Sequence, residues 1–128
     1  MTNRAKARGT EHETRCVRWF RTHGWPYARR LVLKGSRDEG DISLGDGVEL
    51  VVEAKNEKKI VLGSYIRELD AECENAGSDQ GVVIIKRRGT TDVGKYYLLT
   101  TVDRWNDLAL AAIEVPAQRP RKRFVRVV

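Results

Sequence analysis

Asp41, Glu53 and Lys55 are two acids and a base set in an otherwise Val-, Leu- and Ile-rich stretch, residues 40–55. Residues two apart on a strand share a face, so Glu53 and Lys55 point the same way, with Val51 and Glu49 behind them. Charges among apolar side chains cost free energy unless something pairs them. A divalent cation would pair Asp41 with Glu53, and a phosphate would pair Lys55. Hard oxygen donors favour Mg²⁺ or Mn²⁺, and no Cys/His spacing suggests zinc. The alternative reading is an exposed hairpin with scattered surface charge.

Two strands joined at Gly45-Asp46-Gly47 must position these groups. A three-residue loop sets Leu44 opposite Val48 and Asp41 opposite Val51. Glu53 is then the diagonal neighbour of Asp41 on the same face, about 7–8 Å away. A two-residue turn would send Glu53 to the other face, so an odd-length loop is expected. Upstream, Thr10 reads as a helix N-cap with Glu13 completing a capping box. That helix runs to residue 23 and stops at Gly24 and Pro26. Its buried stripe is Cys16, Val17 and Phe20, flanked by Trp19. Glu13 lies on the first turn of that stripe, and both a capping role and a role beside Asp41 stay open. His12 and His23 read as surface residues.

Residues 27–33 read as a strand, followed by a polar loop, 34–40. Asp38 and Glu39 are set aside as site acids because they lie in that loop. Leu62, Ile66, Leu69, Cys73 and Ala76 recur at helical spacing, with Ser64 a possible N-cap. Glu68, Asp70, Glu72 and Glu74 make the opposite face acidic, a face that would not touch DNA. Residues 81–86 form a continuous apolar run, the mark of a strand covered on both sides. A basic loop, 87–94, leads to a strand at 95–100. A last helix is capped by Thr101 or Asp103, with Trp105, Leu108 and Ala112 expected to be buried. Residues 124–128 read as an extended segment, docked at a sheet edge or mating with a second subunit. The order α-β-β-β-α-β-β-α implies an α/β fold with a mixed central sheet flanked by helices.

The chain has 128 residues, 41% hydrophobic and 33% charged, as expected for one globular domain. The expected divisions are a basic arm at 1–9, a core at 10–115 and a basic tail at 116–128. No apolar run approaches the 18–20 or so residues of a membrane span. Nothing resembles a secretory signal, and Cys16 and Cys73 read as core thiols of a cytoplasmic protein. The net charge is +6, but residues 1–10 and 117–128 carry bases and no acid. Removing both leaves 16 bases against 18 acids. Basic groups also cluster at Arg29, Arg30, Lys34 and Arg37, at Lys86, Arg87 and Arg88, and at Arg121, Lys122 and Arg123. Separated basic patches suit a polyanion running across the surface; a solvated tail is the alternative.

Gly40-Asp41, the apolar Leu50-Val51-Val52 and Glu53-Ala54-Lys55 together resemble the PD-(D/E)XK nuclease superfamily, with Gly in place of the motif's Pro. The element order over residues 9–112 is similar to that superfamily's restriction-endonuclease-like core. Gly9-Thr10-Glu11-His12-Glu13 and Gly35-Ser36 are similar to segments of small phage and archaeal Holliday-junction resolvases. The resemblance implies a homodimeric, Mg²⁺- or Mn²⁺-dependent endodeoxyribonuclease that resolves four-way DNA junctions and leaves 5′-phosphate and 3′-hydroxyl ends. It implies Asp41, Glu53 and the Ala54 carbonyl as metal ligands. Glu13 would be the first-helix acid, Lys55 the base or phosphate contact, and Ser36 the loop serine near the scissile phosphate. A restriction-type or flap nuclease shares these residues. An inactive nucleic-acid binder of the same fold, or a basic interaction module of other ancestry, would keep the patches without the cleavage.

Overall fold

The computed structural model describes residues 3–32 and 37–114. The elements are α1 (Asn3–Arg21), β1 (Arg29–Arg30), β2 (Ile42–Ser43), β3 (Val51–Lys55), α2 (Leu62–Ala76), β4 (Gly81–Ile85), β5 (Tyr97–Leu99) and α3 (Val102–Glu114). A 3₁₀ turn, Val93–Lys95, precedes β5. The strands form one mixed sheet in the order β1-β2-β3-β4-β5. Among the described strands only the β3–β4 pair is parallel, with Glu53 beside Val83. A parallel pair needs a crossover, and α2 provides it, as the sequence suggested.

Alternation along β3 and β4 divides the core. Val52, Val82 and Ile84 pack with Cys16 and Val17 of α1, beside Ile42, Leu44 and Tyr96. Val51, Val83 and Ile85 face α2, against Tyr65, Leu69 and Cys73. Every residue of β4 is buried, which accounts for its unbroken apolar run. Gly81 lets α2 come close: a Cβ there would lie 2.6 Å from Cys73 Sγ and 2.8 Å from Leu69 Cδ1. Both cysteines are buried and unpaired.

Several expectations are corrected. α1 starts at Asn3 rather than Thr10, because Ala5, Lys6, Ala7 and Arg8 are good helix formers. Thr10 therefore lies inside the helix and caps nothing. His12 is not on the surface: it is 2% exposed, with Nε2 3.3 Å from the Ile84 carbonyl and Nδ1 3.9 Å from Cys16 Sγ. The strand expected at 27–33 contracts to two residues, and Tyr27 and Val32 are exposed. α2 is capped by Val61 without a side-chain bond, and Ser64 sits in its first turn. Its buried set is Tyr65, Leu69, Glu72 and Cys73, so the stripe is rotated away from Leu62 and Glu72 points inward. Trp105, Leu108 and Ala112 are exposed. Residues 116–128, with their expected strand at 124–128, lie outside the described residues.

Candidate metal centre and nucleic-acid interface

The hairpin register keeps the expected parity but shifts by two residues. Ile42 pairs with Val52, which carries Asp41 beside Glu53 rather than opposite Val51. The loop is longer than three residues because 45–49 turns through two positive-φ glycines, Gly45 (φ 138°) and Gly47 (φ 81°), before β3 begins. Asp41 is held at both backbone and side chain. Its N–H donates to the Val52 carbonyl at 2.9 Å, its carbonyl accepts from Leu31 N–H at 2.8 Å, and its Oδ2 accepts from Ala54 N–H at 2.9 Å.

Gly40 makes that position possible. Its φ is +105°, and a Cβ would lie 3.0 Å from Val51 Cγ1 and 3.1 Å from the Val52 carbonyl. Proline, locked near −65°, cannot adopt this backbone.

Glu53 is 5% exposed in the middle of β3, on the side that faces α2. Two acids not expected there meet it. Glu72, on the buried stripe of α2, is 4% exposed. Asp38 is brought over by its loop, which is tied to the end of α2. Asn75 Nδ2 donates to the Asp38 carbonyl and Arg37 Nη2 to the Asn75 carbonyl, each at 2.9 Å. Asp38 Oδ1 also accepts from Gly40 N–H. Asp38, Glu53 and Glu72 each present a carboxylate oxygen, all within 4.8 Å of one another. Its loop position thus does not keep Asp38 away from Glu53. Glu72 was hidden by its acidic neighbours Asp70 and Glu74; its spacing from Tyr65, Leu69 and Ala76 was the available signal.

Electrostatics limits what this cluster can be. Two unit charges at such a separation repel by about 3–4 kcal/mol at an effective dielectric of 20. Burial, and then the carboxyls of Asp41 and Glu72, push the pKa of Glu53 up. Burial also raises that of Glu72, the contact with Glu53 opposes the rise, and Asp38 and Asp41 add to it. Yet Glu53 Oε2 and Glu72 Oε2 are buried with no hydrogen-bond partner among the described residues. Protons or a cation must offset the repulsion, and orphaned oxygens in a hard-donor cluster fit a divalent ion.

Lys55 shares the α2 side of β3. Its Nζ donates to Glu68 Oε2 at 2.6 Å and lies 5.3 Å from the centre of the Tyr65 ring. Burial works against its charge, but Glu68 with Glu53 and Glu57 outweighs it and raises the pKa. That favours the ammonium. Glu13 approaches from α1: Oε2 is 3.6 Å from Arg30 Nη2, and burial, then the charge of Asp41, raise its pKa against the pull of Arg30.

Arg29, Arg30 and Arg37 line a concavity of about 660 Å³ that also reaches Gly40, next to Asp41. Arg29 is paired with the exposed Asp46. At the far end of β3 and β4, Lys58, Lys86 and Arg88 line a second concavity with Tyr97. Lys86 donates to the Thr90 carbonyl at 2.8 Å and sits over the Tyr96 ring, so it holds its own loop. Arg87 lies over Tyr97. Lys34, Ser36, Arg121, Lys122 and Arg123 are outside the described residues. No described helix is long and apolar enough to cross a membrane. No protein-family model, no curated protein and no solved structure matches the chain.

Proposed function

We propose that the chain is a divalent-metal-dependent endodeoxyribonuclease with a restriction-endonuclease-like core, acting as a cytoplasmic homodimer on four-way DNA junctions. The observation that carries this reading is the meeting of Asp41, Glu53 and Lys55 on one side of the β2–β3 hairpin, fixed by the bond from Ala54 N–H to Asp41 Oδ2. Asp41, Glu53 and the Ala54 carbonyl would hold Mg²⁺ or Mn²⁺, with Glu13 assisting from α1. The ion, when bound, supplies a water of lowered pKa and polarises the phosphate. Lys55, held as an ammonium, stabilises charge developing on the phosphate. Arg29, Arg30 and Arg37 take the flanking backbone; the exposed Asp46 that pairs with Arg29 is worth little against a phosphate.

The test is a cleavage panel with Mg²⁺ on four-way junction, flap, duplex and single strand. Paired symmetric nicks in the junction are the expected result, and Asp41→Asn should lose them while still binding the junction. Cutting of plain duplex at a fixed sequence would instead make it a restriction-type enzyme. Metal-dependent cleavage of nothing, with binding intact, would make it an inactive binder of the same fold.

A further inference from the structure

We infer that the crossover helix supplies a cation ligand of its own: Glu72 of α2, with Asp38 from the loop tied to that helix, joins Glu53 in holding the ion. This rests on the metal-dependent reading above and adds to it residues outside the motif. An acidic cluster alone would not suffice, since exposed acids gather on many surfaces. Here the acids are not all exposed. Glu72 is 4% and Glu53 5% exposed, and each leaves Oε2 buried without a partner. Buried carboxylate oxygens are normally paired, and leaving one unpaired costs about 1–3 kcal/mol or more. An apolar side chain at position 72 would remove that cost, since its helical neighbours Leu69 and Cys73 already pack against β3 and β4. The three carboxylate oxygens within 4.8 Å leave room between them for an oxygen-ligated ion.

Mn²⁺ alone is the probe, measured by calorimetric titration and by thermal melting. Mn²⁺ should bind the wild-type protein and raise its melting temperature. Glu72→Gln should melt at or above the wild-type temperature without metal, because a repelling charge is gone, and should bind Mn²⁺ at least tenfold more weakly. A merely structural glutamate would give the opposite metal-free result. Asp38→Asn, on the exposed loop, should weaken Mn²⁺ binding severalfold and decides the matter if Glu72→Gln fails to fold. Wild-type affinity in the variants overturns the inference and leaves the nuclease reading standing. No Mn²⁺ binding by the wild-type protein sinks both.

Discussion

Lys55 and His12 are both enclosed, and their environments push them to opposite protonation states. Lys55 keeps its proton, so Lys55→Arg should retain part of the cleavage rate and Lys55→Gln should lose about 10²-fold or more in single-turnover cleavage. A lysine acting as base would lose activity equally in both. His12 is held neutral: burial lowers its pKa, the Ile84 carbonyl opposes the fall, and Lys86 and Arg15 add to it. The folded state therefore binds fewer protons at this residue than the unfolded chain. The stability it contributes is present above the ordinary value of 6.5 and is lost as pH falls through the window down to the folded value. Urea melts at pH 5 and 7 should show the wild-type protein losing more stability on acidification than His12→Gln. Comparing the two slopes cancels the carboxyl groups, whose raised values act in the opposite sense. His12 could not be placed from its own residue type. Its burial follows from helical spacing: it lies four residues before Cys16 and so shares the buried face of Cys16 and Val17.

Gly40 and Gly81 are where elements meet most tightly. Gly40→Ala combines an unfavourable φ with contacts near 3 Å and should cost about 1–3 kcal/mol, read as a lower melting temperature. It should also weaken Mn²⁺ binding, because Asp41 follows directly. Gly81→Ala forces Leu69 and Cys73 off the sheet and should destabilise by a similar or larger amount. The sequence made some of these elements plain. An unbroken apolar run can only be a covered strand or a short buried helix segment, and the helical stripe before β4 required a crossover. The turn parity was also readable, because period two allows only two outcomes. Loop length was not, since Gly45 and Gly47 fit a three-residue turn and a longer one equally well. Glu72 is not evident from residue type, because an acid among acids reads as solvent-facing, although the spacing in α2 carries it inward. Trp105 was misjudged for the reverse reason: an apolar stripe shows that a helix face is sticky, not which body it meets.

Charge organises the molecule as a whole. Glu53 and Glu72 are buried with Asp38 beside them, and bases lie in the concavity beside Gly40, around Arg88 and, by sequence, in 117–128. Junction binding should therefore fall steeply with salt, at a slope near 0.9 per phosphate neutralised. Arg37→Ala should reduce that slope by about one. Removing residues 117–128 should reduce it further without touching cleavage chemistry at saturating protein. Fluorescence anisotropy across a salt series checks both. A slope unchanged by either would mean that the DNA takes another path.

The parallel pairing of β3 with β4 also fixes an order of assembly. A hairpin closes within microseconds, so positions 41 and 53 meet while the rest of the chain is still loose. Strand β4 pairs thirty residues further along the chain, Val83 beside Glu53, a slower closure, and docking of α2 brings position 72 in against two acids already present. The last major docking event therefore runs uphill electrostatically. A refolding chain should complete it faster in mild acid, or with a dication in the buffer, than in a chelated alkaline one.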